Sequence, residues 1–196
     1  MKKQFVSIFY LVVTFIGAIN SVYAEQKNSS LEAHYHGLSE LTIVMEGELL
    51  EIQLTSPAMN LVGFEYKASS EKDMAAIKNA ESMLQKHKTI FSIFGSNCEH
   101  VRTAIDTSSL VEVGHNQGHD NDHHNDNHED KDNHEDHSEM LVNYSYLCQE
   151  ADKLSSIEVF LFKLFPGIHK IHAMWIMQSK QGSATFTANN PIVIFR

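Results

Sequence analysis

The stretch Gly114–Glu139, GHNQGHDNDHHNDNHEDKDNHEDHSE, constrains the fold most because it has nothing to bury. It contains no Leu, Ile, Val, Phe, Tyr or Trp. Ordering a residue costs about 1–2 kcal/mol of backbone entropy, and a segment without apolar side chains cannot offset that by burial. It is expected to be a mobile, solvated loop, with the packed domain made from the sequence on either side. The stretch carries seven histidines: His115, His119, His123, His124, His128, His134 and His137. Neutral imidazole is a borderline-soft donor that suits Zn, Cu and Ni. With an ordinary pKa of about 6.5, most of these rings are neutral at pH 7. The interleaved carboxylates add negative potential and can complete a coordination shell. His115, His119 and His123 stand four apart, as do His124 and His128, a spacing that shares one face of a helix. Asn, Asp and Gly are poor helix formers, so no helix is expected without metal. The competing readings are a charged linker or a tag scar; an internal, irregular, acidic run argues against a tag.

The chain opens with a different signal. Lys2 and Lys3 precede the mostly apolar run Phe5–Ile19, and Val22-Tyr23-Ala24 offers a small residue at the cut. This is the pattern of a secretory signal peptide over Met1–Ala24. The apolar run is shorter than the roughly 20 residues of a membrane span. No second hydrophobic span follows, so no membrane anchor is expected after cleavage. The remaining chain, Glu25–Arg196, is long enough for one domain with a real core. Losing Lys2 and Lys3 takes its formal charge from −10 to −12. That acidity argues against nucleic acid, which calls for a basic patch, and suits the gathering of cations. Export places the only two cysteines, Cys98 and Cys148, in an oxidising compartment, where an even count suggests a disulfide straddling the His-rich segment. The rival reading is a metal thiolate, with Cys98 and His100 as a C-x-H pair.

The flanking sequence reads as α+β: mainly antiparallel sheet with one long helix. Ala33-His34-Tyr35-His36-Gly37 holds an H-x-H that, at the start of a strand, puts both imidazoles on one side, close enough to share a metal. Leu38–Met45 and Leu50–Leu54 alternate and form a hairpin around Glu46-Gly47. Ala58–Glu65 is a compact apolar piece, expected as one helical turn. Ser69 and Ser70 with Asp73 form a helix cap. The helix is expected to run to about Lys88, with Met74 and Met83 in the core and His87 in its last turn, facing the dipole. A strand or bent pair follows over Glu99–Val113. Met140–Cys148 returns as a strand, so the His-rich segment is an insertion between antiparallel neighbours. Strands are also expected at Ser156–Phe162, Ile168–Gln178, Ser183–Thr187 and Ile192–Phe195, with a hairpin turn at Lys180-Gln181-Gly182. His169 and His172 face opposite ways and are possible metal ligands, though ordinary surface histidines fit equally.

The blocks AHYHGLSELTIVMEG (Ala33–Gly47), SPAMNLVGFE (Ser56–Glu65) and FPGI (Phe165–Ile168) are distinctive, as is the Cys98/Cys148 pair around an acidic His-rich insert. Together they resemble the ZrgA-type periplasmic zinc-regulated, zinc-binding proteins over nearly the whole chain from Ala33. The resemblance implies a Gram-negative periplasm and a role assisting high-affinity zinc uptake. A partnership with the solute-binding protein of a zinc ABC importer would follow. It also implies that His34 and His36 belong to a fixed site. The family pattern continues GFE with His where this chain has Tyr66; if that His is a ligand in relatives, its site here is either weakened or rebuilt with Glu65 or Glu32. Two function classes compete: a zinc chaperone or buffer, and a periplasmic hydrolase-type metalloenzyme. An enzyme calls for three rigid ligands, an open position and a base, and no H-E-x-x-H occurs. The solute receptor of an importer is a third reading, for which the chain is short. Within the binding class, copper or nickel buffering stays open, because the affinity order favours Cu²⁺.

Protons compete with metals for imidazole. The zinc affinity of the His-rich segment should therefore fall steeply from about pH 7 to pH 5.5, around the ordinary His pKa. A calorimetric titration series across that window checks this; flat affinity would point to carboxylate or thiolate ligands.

Overall fold

A computed structural model describes residues 36–111, 138–178 and 180–195. They belong to the compact unit His34–Arg196, which is distinct from Met1–Ala33. The proposed leader, His34, Glu32 and the seven histidines from His115 to His137 lie outside the described residues.

A six-stranded sheet carries the domain. Its strands are β1 (Leu38–Glu46), β2 (Leu49–Pro57), β4 (Asn97–Asp106), β5 (Glu139–Gln149), β7 (Lys170–Met177) and β8 (Lys180–Phe186), in the order β4-β5-β2-β1-β7-β8. The expected antiparallel pairings dominate, but β1 and β7 run parallel, with Leu41 beside Ala173 and Ile43 beside Trp175. A second, three-stranded sheet joins β3 (Phe91–Phe94), β6 (Ser156–Val159) and β9 (Ile192–Ile194), in the order β3-β6-β9. Period-2 alternation decides which side chains point inward. From the large sheet Leu41, Ile43, Ile52, Leu54, Val142, Tyr144 and Ile171 are wholly buried, and Ile157, Val159 and Val193 join the same core from the small one.

The longest described helix is α2 (Glu71–Leu84). Ser70 caps it as expected: its hydroxyl accepts from the Asp73 N–H, and the Asp73 carboxylate accepts from the Ser70 N–H. Ile77, Ala80 and Leu84 form its buried face, and Met74 and Met83 pack beside it. The buried Tyr144 hydroxyl donates to the Leu84 carbonyl at 2.9 Å, satisfying one of the terminal acceptors of the helix. The helix stops earlier than the periodicity implies. A new short helix, α3 (His87–Ile90), begins after Gln85 and Lys86. His87 thus stands at the start of α3, and the dipole argument for it fails.

Other boundaries also move. Phe160–Phe162 leaves the sheet early: β6 ends at Val159 and α4 (Leu161–Leu164) follows. Lys180-Gln181-Gly182 is not a turn, because β8 has already begun there and Lys180 pairs with Met177. Gly182 serves packing instead. A Cβ on it would lie 2.4 Å from the Trp175 indole, which fills the space opposite. Val111 and Leu110 follow β4 rather than extend it, and Val113 lies outside the described residues. The His-rich insert is shorter than its composition suggests: Glu139 is the first residue of β5, and the carbonyl of the buried Ser138 accepts from the Ala58 N–H at 2.8 Å.

Cys98 and Cys148 face each other across β4 and β5 and are bonded, with Cα atoms 3.9 Å apart. That removes the thiolate reading of Cys98. The bond closes a 50-residue separation, a loop length for which chain entropy gives about 4 kcal/mol. Alkylation followed by mass determination should find two thiols only after reduction; two alkylated thiols in the unreduced protein would contradict the bond.

Candidate metal centre

The H-x-H sequence meets the sheet through a single turn. Gly37 takes φ +88°, a left-handed conformation that glycine adopts without strain. Its carbonyl accepts from both the His169 N–H (2.8 Å) and the Lys170 N–H (2.9 Å), fixing the start of β7 against the start of β1. The His169 imidazole lies against the Gly37 Cα so closely that a Cβ there would stand 2.7 Å from Nδ1.

From the other side the turn is held by Asn60, a buried residue of α1 (Ala58–Val62). Its Oδ1 accepts from the Gly37 N–H at 2.7 Å, and its Nδ2 donates to the Leu38 carbonyl at 2.8 Å. The buried Ser39 and Ser56 hydroxyls, 2.8 Å apart, lie next to the same amide. The backbone following His36 is therefore fixed by folding.

His36 projects from this anchored turn and meets Glu65. Its Nε2 stands 3.1 Å from Glu65 Oε2, with the imidazole more than half exposed and the carboxylate mostly buried, at 57% and 13% of full exposure. Against a carboxylate, the ring nitrogen acts as the N–H donor. The same nitrogen and oxygen have the spacing of a ligand pair for a divalent ion. Zinc bonds of 2.0–2.2 Å to N and O at tetrahedral angles put the two ligand atoms about 3.3 Å apart. An ion could thus replace the shared proton with little movement.

The segment that carries Glu65 is also where the His-rich insert is rooted. The Leu110 carbonyl accepts from the Ala68 N–H at 2.8 Å, and the Ser138 carbonyl accepts from the Ala58 N–H at 2.8 Å. Ser138 and Ser109 cross-link the two roots: the Ser138 hydroxyl donates to the Ser109 carbonyl, and the Ser109 hydroxyl to the Glu139 carbonyl. Glu65 lies between Ala58 and Ala68, so the described ends of the insert grip the chain on both sides of it.

Of the expected site residues, His36 and Glu65 come together and His169 lies beside the Gly37 turn. His172 sits apart, half-buried on β7 with Glu40 and Thr185 as its cross-strand neighbours. His34 and Glu32 lie outside the described residues, as do the seven insert histidines. Among the described residues no three His, Cys, Asp or Glu side chains form a group that could hold a metal ion. Tyr66 is not a surrogate ligand: it is exposed, stacks on Phe64 with ring centroids 4.8 Å apart, and its hydroxyl donates to Asp73. Sequence reasoning misses Asn60 and Gly37 as site residues, although a lone amide inside the apolar run AMNLVGF is a visible signal.

No curated protein matches the chain. A family profile described as "ZrgA family zinc uptake protein" does match, over residues 33–195. This span covers the H-x-H turn, the Asn60–Glu65 segment, the disulfide and both roots of the insert. The chain belongs to the ZrgA family of zinc uptake proteins.

Proposed function

We propose that this protein is an exported zinc-binding accessory protein, a metallochaperone or buffer of the periplasm. It gathers Zn²⁺ on the His-rich insert, holds one ion on the body at His36 and Glu65, and passes it to a zinc importer. The observation that carries this reading is the rooting of the insert on both sides of the Glu65 segment, beside an imidazole–carboxylate pair already at ligand spacing.

The two kinds of site differ in cost. An ion taken up by the insert has to order the chain that grips it, at about 1–2 kcal/mol for each residue fixed. The backbone that carries His36 is held by Asn60, and the His36 ring already meets Glu65, before any metal arrives. Capture on the insert is therefore fast and weak, and holding on the body is tighter. The remaining ligands of the body site come from His34, two residues from His36, with Glu32 as a further donor. An ion on His36 Nε2 requires the proton on that nitrogen to move to Nδ1 of the same ring or to solvent. Export is supported by the leader pattern of Met1–Ala24 and by the Cys98–Cys148 bond, which belongs to oxidising compartments. No described helix is long and apolar enough to cross a membrane. Membership of a zinc uptake family favours Zn²⁺ over the Cu²⁺ that raw affinity would select. The family is one of uptake rather than of catalysis.

Calorimetry on three variants tests the division. Deleting His115–His137 should leave the fold intact, remove several weak Zn²⁺ equivalents and spare one tighter equivalent. His34→Ala with His36→Ala should lose the tight equivalent and keep the weak capacity. Glu65→Gln should weaken the tight site by about tenfold or more, the lower range of what even outer-shell changes cost. If the insert deletion abolishes all zinc binding, His36 and Glu65 are not an independent site.

A further inference from the structure

A second histidine pair lies away from the His36 turn and has no part in the proposed zinc path. The imidazoles of His87, at the start of α3, and His100, on β4, stack face to face with centroids 3.9 Å apart and planes within 7° of parallel. Tyr146, opposite His100 on β5, presents its ring edge-on to both, at 5.8 Å and 5.4 Å. The Tyr146 hydroxyl is buried and has no hydrogen-bond partner among the described residues. His100 Nε2 is engaged with the Thr103 hydroxyl at 2.8 Å.

This arrangement is not a metal chelate. Ring nitrogens bind metals in the plane of the ring, and the in-plane lone pairs of parallel stacked rings do not converge on one point. The neighbouring charge is also wrong for a cation: Lys86 and Lys88 flank His87 in sequence, and Lys88 acts on it electrostatically. What the pair can accept is a proton, and the surroundings oppose one. From β4 the facing titratable group is His100 itself, and from β5 it is Tyr146. Burial holds the Tyr146 phenol far above its ordinary value, so it supplies no negative charge. The charges acting on His87 are those of His100 and Lys88, both of like sign.

We propose that His87 and His100 form a proton-sensitive clasp. When His87 is neutral, its ring stacked on His100 fastens the α2–α3 junction to the edge strand β4; when His87 is protonated, the stack releases it. The clasp lies against the ring of Tyr146, whose hydroxyl is buried, two residues along β4 and β5 from the Cys98–Cys148 bond. Acidification opens this corner and wets that hydroxyl while the rest of the large sheet stays paired. The sign follows from the direction of the shift. Burial first, then the charges of His100 and Lys88, hold the His87 imidazole below its ordinary 6.5. A depressed folded-state value means that the contribution of this group to stability is complete above 6.5. It is lost as pH falls through the folded value.

The test is an NMR titration of the whole protein from about pH 7.5 to about pH 5, a window that brackets the ordinary His value, following the His ring protons and the backbone amides. The His87 ring should titrate below 6.5. The amides of residues 86–90 and 100–102 should move with the same midpoint, while those of Ile43 on β1 and Ile52 on β2 stay still. His100→Phe keeps a flat ring in the stack and removes one proton site. It should raise the His87 midpoint toward 6.5 and flatten the amide response of the junction. Three results would overturn the clasp: a His87 midpoint at or above 6.5, junction amides that stay fixed while the His87 ring titrates, or an unchanged response in His100→Phe. The wild-type titration decides by itself if the variant does not fold.

Discussion

The buried amide of Asn60 is the contact on which the candidate site depends. A buried primary amide must find partners for both its oxygen and its nitrogen, or its desolvation costs several kcal/mol. Asn60 finds them on the backbone of Gly37 and Leu38. The fold can satisfy Asn60 only by bringing the start of β1 against α1, and that same approach brings His36 to Glu65. The Gly37 carbonyl then fastens β7 to the turn. One polar side chain in an apolar helix thus holds the turn from which His36 projects, and the same turn meets the start of β7.

The insert poses the opposite problem. A long polar segment between two strands adds closure entropy only with the logarithm of its length, so its placement matters more than its size. Here it joins β4 to β5, whose pairing is fixed by the disulfide at one end and by the Ser109–Ser138 cross-links at the other. Both devices lie within the folded body. The sheet pairing therefore does not depend on the insert, whose described ends are fastened on both sides of the Glu65 segment.

Much of this is legible in the residues. Alternation predicts β1, β2 and β5 as strands, because side chains of alternating polarity suit a sheet with one drier face. The Ser70–Asp73 cap is readable because capping is local chemistry. The parallel pairing of β1 with β7 is not readable, since nothing local distinguishes a parallel neighbour. Gly182 reads as a turn because sequence shows the missing side chain and not the Trp175 ring that takes its place. The break at Gln85 carries no proline or glycine, so the periodicity runs on to Lys88 and assigns His87 to the wrong end of a helix. At the site, His36 and Glu65 are both visible as candidates in the sequence, and their contact needs the fold. Asn60 stands in a distinctive block without a role, because its role depends on long-range partners.

The most direct measurement is zinc-edge anomalous diffraction from a crystal of the protein lacking His115–His137, loaded with one equivalent of Zn²⁺. The account predicts one strong peak bonded to His36 Nε2 and Glu65 Oε2, with Asn60 still bound to the Gly37 N–H. A peak elsewhere on the body, or no ordered zinc at all, would contradict it.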